Sequence, residues 1–587
     1  MLGRFCVGVL ALASVAALVG CQGLVKGVSQ LTVNVQGAGT GTVISTPNGI
    51  NCPSTCSASF TGNPQVTLTA TASPGFTFGG WSGACTGTSA TCTVSIAGSA
   101  VTATFNASLQ SINHIIFLAQ ENRSFDNYFG ALRQYWAQNN FPDQQFDGLP
   151  QFNPPANPAA APSNPGCKPL TSTPTVCHVD PATNDVGPPV QSFHFNTMCV
   201  ENPSPSWNEG HADWNASDPV APPPPTLDGF VRAAANDARQ IVPQFHDVAG
   251  MRAMGYYDGG DLNYYYFMAS NFATSDRWFA PVMTRTQSNR EYLIGATSHG
   301  YVYPIGTNAN DMQLIPTPPI FEELQNAGIS WKIYVNPGGT GCSATDSACL
   351  FKFTYVKNFT YGKTILQTPT LLANIVPISQ FTTDAQNGTL PQVAQIEPAS
   401  NSGQDEHPSD TDVVPPCCSI QGGAAYVEGL INSVMNGPSW QDSVFFLTFD
   451  ENGGFFDHVA PAPAVSPDGI APVDLFPGDT CSPGGPTGPN CDFVFTGYRV
   501  PMIVISPYSK KNFVSHAANA DGTGVDNTAI LKLIELRFNL SALTSRDNDQ
   551  LDMSAEFMDF TNANWKTPPP NIPAQNSGGQ CYLDHLP

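Results

Sequence analysis

The sequence predicts a large α/β domain with a mainly parallel sheet, preceded by a small all-β module. Three observations carry this. Residues 112–119, 444–449 and 500–505 are nearly continuous apolar runs, as a strand buried on both faces requires. Helical patterns sit between such runs, at 424–435 and 528–538, and that alternation is the signature of α/β architecture. Residues 31–106, by contrast, are poor in charge and rich in Thr, Val, Ser and Gly.

Taken in chain order, Arg4 precedes a thirteen-residue apolar run, Val7 to Val19, and then Gly20 and Cys21. The run is too short to span a bilayer but fits the core of an export leader. Its end, Leu18-Val19-Gly20-Cys21, resembles a bacterial lipobox, so residues 1–20 are expected to be a lipoprotein signal, with Cys21 the membrane anchor and 21–30 a linker. Of 16 cysteines, Cys6 lies in the leader and Cys21 at the anchor; an even remainder in an exported chain reads as disulfides. Close neighbours are expected to pair: Cys52/Cys56, Cys85/Cys92, Cys167/Cys177, Cys342/Cys349 and Cys481/Cys491. Cys199, Cys417, Cys418 and Cys581 have no assigned partner.

The module at 31–106 shows alternating runs at 31–35, 66–70 and 101–105, separated by turn clusters, which is strand patterning. With Gly79-Gly80-Trp81-Ser82-Gly83 and its paired cysteines it resembles the internalin-B-type repeat of bacterial surface proteins. The glycine cluster at 37–41 does not complete GxGxxG, because Thr42 takes the last position, and is read as a turn. The large domain is expected at 110–562. Pro-rich stretches within 149–225 are read as surface insertions, and a Pro/Asn/Gly-rich tail follows at 563–587.

Composition narrows the function. Lys and Arg number 22 against 45 Asp and Glu, a net charge of −23. Nucleic-acid binding and polybasic docking on anionic lipid both need the opposite balance. With 52 glycines and 53 prolines, a coiled coil is excluded. GxSxG and HExxH are absent, which disfavours lipase-type serine hydrolysis and zinc proteolysis.

Ligands of open α/β sheets bind beyond the carboxyl ends of the strands. Two buried runs end there in acidic and amide groups, one in Glu121 and Asn122, the other in Asp450 and Glu451. If these strands are neighbours, the four side chains converge as oxygen donors for one hard divalent cation, Ca²⁺ or Mg²⁺. Each acidic strand end taken alone is equally a turn or helix cap.

Gln120-Glu-Asn-Arg-Ser-Phe-Asp-Asn-Tyr-Phe-Gly130 and Asp450-Glu-Asn-Gly-Gly-Phe-Phe-Asp-His458 resemble the two signature motifs of a bacterial phosphoesterase family. That family groups non-specific phospholipases C with acid phosphatases, and its fold is three-layered α/β/α, alkaline-phosphatase-like. The resemblance implies that Glu121, Asn122, Asp450 and Glu451 are metal ligands. It places the nucleophile at Thr286, in Thr286-Gln-Ser-Asn-Arg290, where Ser288 replaces the family's proline; Thr284 is the fallback. Ser288 to Glu291 also reads as a capping box, and a hydroxyl at a helix N-terminus suits an anionic phosphate. His407, in Asp405-Glu-His-Pro408, matches a family histidine and is the candidate for protonating the leaving group. His211 matches another, although Pro205 and Asn202 stand where the family has His and Asp, so substrate preference does not carry over. The role of His458 stays open.

Tyr256, Tyr257 and the run 264–267 could form an aromatic wall for a quaternary ammonium, but helix core packing is the favoured reading. Three carboxylates around one divalent ion leave the site near −1, which tilts toward diesters, or monoesters at acid pH, unless Arg290 or Arg123 offsets the charge. The expectation is an exported, lipid-anchored, metal-dependent phosphoesterase of phospholipase C type acting through a phosphothreonine, on phosphate esters that include phospholipid. An acid phosphatase acting on monoesters is the nearest alternative, and an adhesion protein with an inactive domain is the alternative of another class. The oligomeric state is not readable.

Overall fold

The computed structural model describes residues 27–586 except 63, 97–98, 170–175, 180–184, 308–312 and 412–418. The expected leader, Cys21, Cys417 and Cys418 lie outside the described residues. The chain divides into two compact units between Asn106 and Ala107.

The first unit is two four-stranded sheets enclosing one core. One is ordered Ser57–Thr61, Val28–Gln36, Ser99–Asn106, Thr77–Gly83; the other Asn51–Cys52, Gly41–Thr46, Gln65–Ala72, Thr91–Ser95. Alternate residues point inward: Leu31 and Val33, Val66 and Leu68, Val101, Ala103 and Phe105 form the core, as the period of two demands. Gly37 is a turn residue at φ +98°, where a Cβ would stand 2.2 Å from the Phe105 carbonyl oxygen.

The second unit is built on an eight-stranded sheet. In chain order its strands are β1 (His114–Gln120), β2 (Ala273–Ser275), β3 (Trp331–Val335), β4 (Ile375–Pro377), β5 (Val393–Ile396), β6 (Ser443–Phe449), β7 (Met502–Ile505) and β8 (Phe513–Ser515). They lie in the order β4-β3-β5-β1-β6-β7-β2-β8. All pairings are parallel except those of β7 with β6 and β2. The apolar run at 500–505 is therefore the antiparallel member of the sheet. The chain leaves β6, loops over its carboxyl end and re-enters beside it, so Thr448 faces Met502.

Every residue of β6 is buried, so helices cover both faces. The helices used below are α1 (Phe125–Phe129), α2 (Asn263–Asn271), α3 (Thr286–Gly295), α4 (Ile320–Asn326), α5 (Ile378–Asn387), α6 (Ile420–Met435) and α7 (Ala529–Phe538). α2, α5 and α6 pack together as one layer; α3, α4 and α7 pack as another. The buried positions of α6, Ile420, Ala424, Val427, Ile431 and Val434, recur at the three- and four-residue spacing of an amphipathic helix. The architecture is thus a three-layer α/β/α unit with an all-β unit before it. Among the described residues no helix is long and apolar enough to cross a membrane.

The proline runs at 154–165 and 222–225 are mostly exposed, whereas between them Phe195, Cys199, Val200, Trp207 and Trp214 are buried. The tail is stitched to the large unit. All five neighbouring cysteine pairs are bonded, and a sixth disulfide joins Cys199 to Cys581. Gln575 of the tail donates to the Asp261 carbonyl and accepts from the Tyr264 amide.

Candidate active site

β1 and β6 are adjacent and parallel, with Gln120 opposite Phe449, so Glu121 and Asp450 leave the sheet side by side. The crossover is tied down by backbone. The Asp450 amide donates to the Gln120 carbonyl at 3.1 Å, and the Arg123 amide donates to the Glu451 carbonyl at 3.0 Å. Asp450 Oδ1 accepts from the amides of Asn122 and Glu451 at 3.0 and 2.8 Å. Asn122 takes the left-handed region at φ +61°. Gly453 approaches it so closely that a Cβ would lie 2.4 Å from the Asn122 carbonyl oxygen, and its amide donates to Glu451 Oε2.

α3 brings the third component. It begins at Thr286, with Arg285 as N-cap and no capping side chain, leaving first-turn N–H groups for an anion. The expected capping box is not formed. The helix starts three residues earlier, which puts Ser288 inside, donating to the Tyr301 carbonyl, while Glu291 accepts from Gln287 and Asn358. Thr286 Oγ1 lies 3.4 Å from Asn122 Oδ1. Thr284 is buried, its hydroxyl donating to the Val302 carbonyl.

One turn into α3, Arg290 stands between the two acidic strand ends, 3.4 Å from Glu121 Oε1 and 3.4 Å from Asp450 Oδ2. Burial opposes its charge, but Asp450 and Glu121 hold its pKa above the usual value. Burial also pushes Glu121 up to about 8 against the pull of Arg290, and it raises Glu451 well above the carboxylate range, reinforced by Asp450. Asp450 Oδ2 and Glu451 Oε1 are buried without a hydrogen-bond partner. Buried carboxylate oxygens that accept no hydrogen bond fit a bound cation, although Arg290 already supplies one positive charge to Asp450 Oδ2.

The four expected ligands are brought together, but not as a closed cage. Among the described residues, the acidic and histidine groups whose ligand atoms all approach within 4.8 Å are Asp126–Asp457–His458 and His194–Asp258–Asp261. Arg290 separates Glu121 from Asp450 instead. The first of those clusters is filled by Arg499, which donates to Asp457 Oδ1 at 2.8 Å and Asp126 Oδ1 at 3.1 Å. His458 is part of it, bonded to Asp126 and Asp147, and so is structural.

Thr286 and Asn122 open into a cavity of about 440 Å³ that His407 also lines. A neighbouring cavity of about 350 Å³ reaches Glu121 and shares His407. His407 Nδ1 is 2.5 Å from the Pro408 carbonyl oxygen. Burial opposes its charge, yet Asp410, Glu121 and Asp405 raise its pKa. The residue before it, Glu406, which sequence reasoning passed over, fixes the main chain there. Buried at φ +70°, Glu406 accepts from the Tyr265 and Tyr128 hydroxyls and from Gln120, and its carbonyl accepts from Arg123. Arg123 is thereby committed to the scaffold and offers no charge to a phosphate. Tyr264, Tyr265 and Tyr266 are wholly buried, as core packing predicts.

His211 is not brought to this cavity. Its helix turns it inward, its ring nitrogens 2.8 Å from the Trp207 and 3.3 Å from the Asn490 carbonyl oxygens, and burial lowers its pKa. The cavity wall holds residues the sequence did not single out, notably Lys352, Tyr355 and Lys357.

The Phosphoesterase family profile matches residues 112–541, and the divergent InlB B-repeat domain profile matches residues 31–109. Phospholipase C B of Mycobacterium tuberculosis is 30% identical over 484 residues, covering 76% of this chain and 78% of the relative. Non-hemolytic phospholipase C of Burkholderia pseudomallei is 28% identical, covering 73% and 56%. Non-specific phospholipase C4 of Arabidopsis thaliana is 28% identical, covering 70% and 64%. Among solved structures, murine ectonucleotide pyrophosphatase/phosphodiesterase 5 overlaps 48% of this chain and 91% of its own, at 14% identity and a TM-score of 0.27.

Proposed function

The chain belongs to the phosphoesterase family and is a phosphoric ester hydrolase, and from that premise we propose that it is an exported, phospholipase C-like enzyme using Thr286 as nucleophile. The observation that carries the reading is the meeting of the Thr286 hydroxyl, the first turn of α3 and His407 in one cavity, with Asn122 3.4 Å from the hydroxyl. Asp450 Oδ2 and Glu451 Oε1, which accept no hydrogen bond, with Glu121 and Asn122, would hold a hard divalent ion. When bound, that ion supplies Lewis acidity beside the hydroxyl and the phosphoryl oxygen.

The chain's own groups do the rest. The free N–H groups of α3 orient the phosphoryl group, and Arg290, buried between Glu121 and Asp450, offsets the charge of those carboxylates. Thr286 Oγ gives up its proton to solvent and attacks phosphorus; a new O–P bond forms and the bond to the leaving alcohol breaks, His407 giving that oxygen its proton. Water then attacks the phosphothreonine, His407 takes one of its protons, the Thr286 O–P bond breaks, and phosphate or the phosphorylated headgroup departs as Thr286 Oγ regains a proton from solvent. His211, buried against Trp207, is a positioning residue for the helix Trp207–Trp214. Export is supported by the leader pattern and by six disulfides, which persist in oxidising compartments.

The test is hydrolysis of a chromogenic phosphocholine diester and a phosphate monoester by the purified chain, with and without chelator, beside Thr286→Ala. Turnover lost in both the chelated and the mutated protein is expected. Turnover that survives Thr286→Ala refutes the nucleophile, and no turnover by the wild type with metal restored turns the reading to adhesion.

A further inference from the structure

The turn from Lys352 to Lys357 takes no part in the chemistry above, yet it forms a wall of the cavity over Thr286. Seventeen residues line that cavity, and three carry basic side chains, Arg285, Lys352 and Lys357, against one carboxylate, Asp410. Asp410 accepts from Asn202 Nδ2 at 2.8 Å and keeps its charge, so basic groups outnumber it three to one. A chain with 22 basic residues in 587 would place fewer than one among seventeen. This concentration stands out the more in a protein of net charge −23.

The turn is braced. The Cys342–Cys349 disulfide anchors the chain before it. The Tyr355 amide donates to Glu397 Oε1 at 3.0 Å, and Lys357 Nζ donates to the Lys352 carbonyl at 2.7 Å. Glu397, at the end of β5, is buried with its other oxygen unpartnered. Below the turn, the Arg290 guanidinium sits 5.3 Å from the centre of the Tyr355 ring. That aromatic face already has its cation, and the tyrosines of α2 are turned into the core, so neither supplies a cage for a quaternary ammonium.

We infer that the cavity selects phosphate esters carrying at least two negative charges, with Lys352, Lys357 and Arg285 as the specificity-determining rim. The inference rests on the phosphoesterase reading of Thr286 and names its substrate class. Such a substrate is either a phosphate monoester or a diester whose headgroup carries a phosphate of its own, and both meet the rim by the same charge complementarity.

The experiment measures kcat/KM of the metal-supplemented full chain on three substrates: nitrophenyl phosphate, a phosphatidylinositol phosphate in mixed vesicles, and a phosphocholine diester. Wild type is compared with Lys352→Gln/Lys357→Gln. The ratio of either doubly charged substrate to phosphocholine should fall about fivefold to tenfold in the variant, mainly through KM. In the wild type the same ratio should shrink as salt rises from about 0.02 to about 0.5 M, because surface charge is screened. Whichever doubly charged substrate is preferred over phosphocholine identifies the source, and either preference supports the rim. A wild type that prefers phosphocholine, or a ratio unchanged within about twofold in the variant, overturns it. Should the double variant misfold by circular dichroism, Lys352→Gln alone keeps the Lys357 bond to the main chain and carries the same test. If the wild type turns over none of the three, the Thr286 reading fails separately. The rim is then judged by calorimetric binding of inorganic phosphate: weaker binding in the variant supports it, and equal or absent binding overturns it.

Discussion

Raising the pH from about 6.5 to about 9 removes about 3 kcal/mol of folding stability through one side chain, His458. His458 joins the loop after β6 to Asp126 in α1, after β1, at 2.7 Å, and to Asp147 at 3.0 Å. Burial opposes its charge, but Asp126 and Asp147 lift its pKa from 6.5 to about 10. A pKa raised on folding contributes stability that is fully present below the unfolded value, near 6.5, and is lost as pH rises through the folded one. The ceiling is about 5 kcal/mol at about 1.4 kcal/mol per unit. Partial exposure of Asp147, 39% at its side chain, brings the working figure to about 4 kcal/mol. His458→Gln should therefore cost about 4 kcal/mol near pH 6, since it leaves Asp126 buried beside one fewer cation. The gap between variant and wild type should then close by about 3 kcal/mol by pH 9. The assay is urea unfolding followed by tryptophan fluorescence, which reports the large unit because only Trp81 of eight tryptophans lies in the module. A gap below about 1 kcal/mol at pH 6, or one that stays level or widens toward pH 9, would refute the reasoning.

Thr286→Ala should lower kcat by about a thousandfold or more while phosphate still binds; calorimetry with inorganic phosphate separates the two effects. His407→Asn should lose about a hundredfold on alkyl phosphates and far less on nitrophenyl esters, whose leaving group needs no proton. Gly423→Ala drives a Cβ to 2.2 Å from Glu406 Cγ; it should displace His407 and depress kcat more than KM, whereas Gly429→Ala on the same helix, where a Cβ meets nothing within 4 Å, should not. Chelation should abolish turnover and lower the unfolding midpoint together, with Ca²⁺ or Mg²⁺ restoring both, since Asp450 and Glu451 would again hold unpartnered buried oxygens.

The readable part of this protein is the part written locally. The runs ending at Ala119 and Phe449 are apolar but for Asn113, His114 and Thr448, so burial on both faces followed from composition, and the acidic groups just beyond them had to emerge at the strand ends. Five disulfides were legible because their cysteines stand within ten residues of each other, where the chain can scarcely avoid the encounter. The alternation of Leu31, Val33, Val101 and Ala103 marked the β unit for the same local reason.

What tertiary structure alone decided depends on strand order and on the direction a side chain takes. Cys199 and Cys581 are 382 residues apart, and no local rule pairs them. The run at 500–505 has the composition of a parallel strand, but its direction was set by where the loop from β6 returns. His211 and His407 look alike in sequence; helix packing sends one into the core, and the left-handed Glu406, held by three donors from other elements, sends the other into the cavity. Arg290 becomes the central cation only because α3 docks across the ends of β1 and β6. Lys352 and Lys357 border the site only because the edge of the sheet beyond β5 folds over it. Charge and hydrophobicity are properties of each residue, whereas a site is a property of which residues the fold makes neighbours.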